Sequence, residues 1–307
     1  MSHPNTPGIR NVGVGLAAAG LVALVACTSS ADGRAATSST APADVSTSST
    51  APADHRSAAT GSFDDLIDVG GHSLHLVCEG SGEPAVIVEM GAGAQVRDWI
   101  GIVDALAHDR RACVYERAGI GESEAGPETL SAQQVADELH TMLTSADLPT
   151  PMIVVSHSLG GLDAQALAQR HPDDVAALVF AEPRTAEYQL GYRDNLTDEE
   201  RAIDGRETKF AIESLPFGPE IAAIDDSAAA VDDAGSLPDV PVIVLSAGVP
   251  FPDASEADQA FWLATHQHLA AQVSDGTATV VAGADHDIFR SKRQAILDAV
   301  DEISNQI

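Results

Sequence analysis

The stretch "MIVVSHSLGGLDAQ", residues 152–165, is a short apolar, β-prone run that breaks at Ser156-His157-Ser158-Leu159-Gly160-Gly161 and then turns helical. It differs from the G-x-S-x-G pattern only at its first position, where Ser156 replaces Gly. A nucleophile in a sharp strand-to-helix turn needs small neighbours, because a bulky Cβ substituent would strike the adjoining strand and helix. Ser156 is small, and Gly160 and Gly161 let the following helix pack closely. Ser158 is therefore the candidate nucleophile.

A serine hydroxyl attacks an acyl carbon only when a His takes its proton and a carboxylate orients that His. After a nucleophile turn of this kind the expected order is Ser, acid, His. His286, in "VVAGADHDIF", lies just past the last apolar run, where a loop can return it to the edge that carries Ser158. Its rivals are His266 and His268, in "THQH", which are two apart on a predicted helix and face different directions, so they also make a poor metal pair. They read as surface or packed histidines.

These side chains need a scaffold, and the pattern from residue 62 onward supplies one. Apolar runs at 73–80, 85–91, 112–119, 152–158, 177–183, 241–248 and 277–283 end in Gly or polar residues, as strands do. Helical periods lie between them. Trp99, Ile102, Val103 and Leu106 share a face, as do Val135, Leu139, Met142 and Leu143 behind a Ser131/Gln134 capping box. Leu159, Leu162, Ala166 and Leu167 form another period, stopped by His171-Pro172, and Ile296, Val300 and Ile303 mark the last helix. Runs apolar on both faces, alternating with amphipathic helices, predict an α/β fold: a mostly parallel central sheet with helices on both faces. The interval of about 184–239 breaks the rhythm, with helical pieces near 198–213 and 219–233. An insertion of that length between two strands is expected to be a helical lid over a site.

The four motifs resemble those of the α/β-hydrolases. "VIVEMGAGAQVRDW" is similar to that family's strand and oxyanion loop, "VYERAGIGES" to its D-R-x-G-x-G-x-S segment, "VVSHSLGG" to its nucleophile turn and "ADHDI" to its catalytic His loop. The resemblance spans 62 to about 305. It implies a Ser-His-acid triad, an acyl-enzyme intermediate, and an oxyanion hole made by the backbone N–H groups of Ala92 and Leu159. It implies a serine hydrolase acting on a small-molecule acyl substrate, most simply a carboxylic ester, with no metal or organic cofactor. A peptidase or amidase on the same triad, and a non-catalytic binding module, are the alternatives. Where the family usually has His before the loop Gly, this chain has Glu89-Met90, so the hydrogen bonds behind the loop must differ. The acid is open. Most members place it in Gly-x-x-Asp after the strand "PVIVLSAG", but the third residue after Gly248 is Phe251, and Asp253 comes two positions later. A minority place it after the preceding strand, which puts Glu182 of "ALVFAEPR" first and Asp253 second.

Outside that region the sequence speaks of export. Arg10 precedes the apolar run "NVGVGLAAAGLVALVA", which has signal-peptide length and is short for a membrane span. Its end, Leu24-Val25-Ala26-Cys27, resembles a bacterial lipobox, which implies a signal peptide over 1–26, lipidation of Cys27 and attachment to the outer face of the cell membrane. Residues 27–61 are Ser, Thr, Ala and Pro with "TSSTAPAD" repeated, a composition expected of a disordered tether to a domain over 62–307. An exported chain meets an oxidising compartment, so Cys78 and Cys113 are either a disulfide or two buried thiols. The family's strand order sets their strands side by side, which favours the bridge. With 16 basic and 46 acidic side chains the chain carries a formal charge of −30 and has no basic stripe, which argues against nucleic acid as a partner.

Overall fold

The computed structural model describes residues 57–252 and 254–307. The signal peptide, Cys27, most of the tether and Asp253 lie outside the described residues. Ala58, within the predicted tether, is buried, and its N–H donates to Ala146 O at 2.8 Å.

Among the described residues eight strands form one sheet: β1 (Phe63–Asp68), β2 (Ser73–Glu79), β3 (Val86–Glu89), β4 (Ala112–Tyr115), β5 (Met152–Ser158), β6 (Val175–Pro183), β7 (Val242–Ala247) and β8 (Gly276–Val281). Their order across the sheet is β1-β2-β4-β3-β5-β6-β7-β8. The β1–β2 and β2–β4 pairs are antiparallel and all others parallel. The sequence reading finds seven of these strands. It misses β1, "FDDLID", because that edge strand buries only Phe63 fully and shows no apolar run.

The helices are α1 (Val96–Leu106), α2 (Ala132–Ser145), α3 (Gly160–Arg170), α4 (Ala186–Gly191), α5 (Asp198–Ser214), α6 (Gly218–Ala222), α7 (Ile224–Asp233), α8 (Glu256–Ala270), α9 (Ile288–Ser291) and α10 (Arg293–Ser304). The apolar faces anticipated for α1, α2 and α10 are all buried, and Ser131 and Gln134 make the reciprocal cap of α2. Helices lie on both faces of the sheet, so the central strands alternate between two cores. One core joins α2 and α3 to Ile87, Val154 and Phe180; the other joins α1 and α10 to Val88, Val155 and Val179. Every residue of β5 is buried, the condition under which a strand's end is held most firmly.

Between β6 and β7 lie α4, a 3₁₀ turn at Tyr192–Asn195, α5, α6 and α7. The predicted piece at 219–233 is two helices, broken at Ala223. Of the seventeen residues of α5 only Asp204 and Ala211 are buried, while Phe210 is 54% and Ile212 40% exposed.

Cys78 of β2 faces Cys113 of β4 in register, and the two are joined in a disulfide between positions 35 residues apart. Closing a loop of that length removes unfolded-state entropy worth about 3–4 kcal/mol in the chain-entropy account. We expect thiol labelling of the unfolded, unreduced chain, mapped by peptide mass, to modify neither Cys78 nor Cys113. Reduction should lower unfolding stability by about 3 kcal/mol, read from denaturant curves.

Candidate active site

The site forms at the C-terminal ends of the parallel strands, where the topology gathers loops from β3, β5, β6 and the β8–α9 connection. Ser158 closes β5 with φ 51°, a left-handed conformation unusual for a residue with a Cβ. The neighbours hold it there. Ser158 O accepts from Arg184 N at 2.7 Å, and β5 is paired on one side with β3 and on the other with β6. A Cβ on Gly160 would stand 2.5 Å from the carbonyl oxygens of both Glu89 and Met90, and one on Gly161 would stand 2.6 Å from Pro183 Cβ. Both glycines are thus required by backbone that has nowhere to go. Ser156, the departure from G-x-S-x-G, fits: it is fully buried in register with Glu89.

His286 follows β8 and brings Nε2 to 3.1 Å from Ser158 Oγ. Its other nitrogen, Nδ1, has no hydrogen-bond partner among the described residues and faces Glu182 Oε1 at 3.9 Å. Burial pushes His286 down to about 4, so its neutral, proton-accepting form prevails at neutral pH. Glu182 sits near the end of β6, also in the left-handed region at φ 55°. Its Oε2 accepts from Ala247 N at 2.7 Å and its Oε1 from Trp262 Nε1 at 2.9 Å. Burial pushes the Glu182 carboxyl upward, while nearby His266 and these two donors act against that. Backbone strain at both Ser158 and Glu182, on adjacent parallel strands, is the pattern of a site whose geometry is imposed from outside.

The structure brings together Ser158, His286 and Glu182. The backbone N–H groups of Ala92 and Leu159 have no acceptor within the protein among the described residues. Phe251, which displaced the expected Asp, packs its ring 4.9 Å from that of His286.

His157 and Arg117 escaped the sequence reading, whereas His266 and His268 are the packed and the surface histidine that it anticipated. His157 donates from Nε2 to His286 O at 2.9 Å, tying the His loop to β5, and burial lowers it to about 3, so it stays neutral. Its place directly before the nucleophile was the available signal. His266 is fully buried: Nε2 donates to Pro183 O at 2.8 Å and Nδ1 pairs with Ser246 Oγ at 2.7 Å, bracing the strand end of Glu182. His268, two residues on, points outward to Glu187.

The largest omission lies behind the oxyanion loop. Arg117, just after β4 and 4% exposed, makes five hydrogen bonds, one for each N–H of its guanidinium. They run to Glu89 Oε1, to the carbonyls of Met90 and Gly91, and to both carboxylate oxygens of Glu220 in α6. Asp163 lies 3.8 Å away, and Tyr115 donates its hydroxyl to Glu89. Burial works against charge on Arg117, but Glu220, Glu89 and Asp163 hold it well above its ordinary value. Burial raises Glu89 to about 7 despite Arg117, and raises Asp163 well above the usual carboxylate range. Glu89 thus fills the place of the missing His with a different hydrogen-bond system.

His140, His171 and Asp174 also cluster, at the opposite edge of the sheet, before β6. Their donor atoms lie within 4.8 Å of one another. The groups are already engaged: His140 with Asp174 at 2.6 Å, His171 with Asp137 at 2.7 Å, and the two rings stacked.

The alpha/beta hydrolase fold family matches residues 84–212. A Hormonema carpetanum protein named "Probable transporter efuK" is 32% identical over 130 residues, which cover 39% of this chain and 18% of that protein. The chain spans less than half the length of the first curated relatives it matches. Among solved structures, Cfl2 from Burkholderia cenocepacia has a TM-score of 0.59 at 20% identity, covering 80% of this chain and 98% of that one. Epoxide hydrolase VrEH1 from Vigna radiata has a TM-score of 0.60 at 16% identity, covering 80% and 99%.

Gly160→Ala should destabilise the fold by roughly 2 kcal/mol or more, because the added methyl meets two fixed carbonyls. A thermal melt that matches the wild type would contradict the close approach seen here.

Proposed function

We propose that this chain, which has the α/β-hydrolase fold, is a serine hydrolase that cleaves carboxylic esters. The observation that carries the reading is the strained Ser158, its Oγ 3.1 Å from His286 Nε2, with Glu182 facing the other nitrogen. Ser158 Oγ adds to the acyl carbon while His286 Nε2 takes its proton. Nδ1–H then turns toward the Glu182 carboxylate, which stabilises the imidazolium. The 3.9 Å separation closes on substrate binding, as catalytic hydrogen bonds commonly do. The oxyanion is met by the N–H groups of Ala92 and Leu159, each typically worth about 3 kcal/mol in the transition state. His286 returns its proton to the departing alkoxide, the C–O bond breaks, and water repeats the sequence on the acyl-enzyme.

Ser158 is 7% exposed, so little of it is open to an approaching acyl substrate. The lightly buried α5 supports reading the insertion as the lid expected from its length. The export and lipidation of Cys27 belong to the same proposal, with the tether carrying the hydrolase domain away from a membrane surface.

Labelling of the purified chain with a fluorophosphonate probe should be abolished by Ser158→Ala, together with turnover of p-nitrophenyl esters. Glu182→Gln should lower kcat by about 10³–10⁴-fold while Asp253→Asn stays near wild type; the reverse pattern would move the acid to Asp253. In a membrane fractionation of the producing bacterium, the wild type should sediment with the membrane and Cys27→Ala should appear in the medium. Equal distribution of the two would remove the lipid anchor from the proposal.

A further inference from the structure

Arg117 does more than neutralise Glu89. Its Nη2 donates at 3.0 Å to Gly91 O, and Gly91 C=O belongs to the same peptide unit as Ala92 N–H. That peptide is trans, the cis bonds among the described residues being Glu83-Pro84 and Thr150-Pro151. In a trans peptide the C=O and N–H point in opposite directions, so fixing the oxygen fixes where the hydrogen aims. A charged donor on the oxygen also draws electron density through the amide, which makes its N–H a stronger donor. A second bond from Nη1 holds the preceding carbonyl, Met90 O, so the loop cannot rotate about Gly91 alone.

The guanidinium is itself held from two sides. Glu89 of β3 belongs to the rigid sheet, but Glu220 belongs to α6, in the insertion. Glu220 takes Nε at 2.7 Å and Nη2 at 3.0 Å in a fork that sets the plane of the guanidinium. The insertion touches the same loop once more. A Cβ on Gly93, at φ 67°, would stand 2.6 Å from the Phe217 ring, so Phe217 seals the loop directly beside α6.

We propose that Arg117 is a positioning residue that orients and polarises the Gly91–Ala92 peptide, and that Glu220 makes this depend on the insertion being docked. The oxyanion donor at Ala92 is then complete only when α6 is seated, so that closure over an acyl substrate and assembly of the oxyanion hole are one event. A lysine cannot replace this arrangement, because its single ammonium has three donors and no planar fork to reach two carbonyls and two carboxylates together.

The inference rests on the serine-hydrolase reading, and the test separates the two. With the purified chain, kcat and KM for a p-nitrophenyl ester are measured alongside inhibition by a trifluoromethyl ketone, whose hemiketal adduct on serine carries the oxyanion. Ser158→Ala sets the baseline. Arg117→Lys should lower kcat by about 10–100-fold, less than the loss of a whole donor, with KM little changed and ketone affinity weakened by a similar factor. Glu220→Gln keeps the shape and loses the charge, and should move the same quantities in the same direction by several-fold. If both variants melt like the wild type and keep kcat and ketone affinity within about twofold, the inference is overturned. If Arg117→Lys does not fold, Glu220→Gln decides alone. A fall in melting temperature with kcat per folded molecule and ketone affinity unchanged would reduce the network to a structural role and overturn it as well. Wild-type protein without Ser158-dependent turnover would overturn the functional reading, and this inference with it.

Discussion

A serine held at φ 51° is the constraint on which the rest of this molecule depends. A residue with a Cβ adopts that conformation at a cost of about 1–3 kcal/mol and keeps it only where the surroundings leave no alternative. Here β5 is paired with β6 along its length and with β3 over Ile153–Ser156, α3 begins one residue after the turn, and two glycines seat that helix against the carbonyls of Glu89 and Met90 and against Pro183. The sheet order, with β5 at its centre, is the physical means of holding one side chain off the end of a strand. Glu182 repeats the device on the neighbouring strand, with Ala247 N–H, Trp262 and His266 as its supports.

Burial governs the electrostatics of the site. The imidazoles of His157 and His286 are kept neutral because the interior disfavours their charged forms, which leaves His286 ready to accept a proton. Arg117 is the opposite case: its charge survives burial because three carboxylates surround it and every N–H has an acceptor. A buried network of this sort is costly if any partner is missing. The network joins the loop at Met90 and Gly91 to Glu220 of the insertion.

Much of the fold was legible because period is written locally. The alternation of both-face apolar runs with amphipathic helices gave seven strands and the faces of α1, α2, α3 and α10. It failed at β1, whose charged residues face solvent, and it merged α6 with α7, where no Pro or Gly marks the break at Ala223. Ser158 and His286, which the structure brings together, could be picked out because a tight strand-to-helix turn and a loop after the last strand have recognisable local surroundings. Glu182 could be named, but not separated from Asp253 by spacing alone. Its support comes from β7 and α8, both more than sixty residues away in the chain.

What the sequence by itself determined is therefore the set of elements and the tight strand-to-helix turn at Ser158, since these follow from hydrophobic period and from the small residues a tight turn requires. It also made Cys78 and Cys113 a candidate pair, which only strand adjacency joins. The tertiary structure alone decided which carboxylate faces His286, that Glu89 finds its counter-charge in Arg117, and that Glu220 reaches across from the insertion to the same guanidinium. Those are contacts between residues far apart in sequence, and the energy of a buried charge depends on what surrounds it in space rather than on its neighbours along the chain.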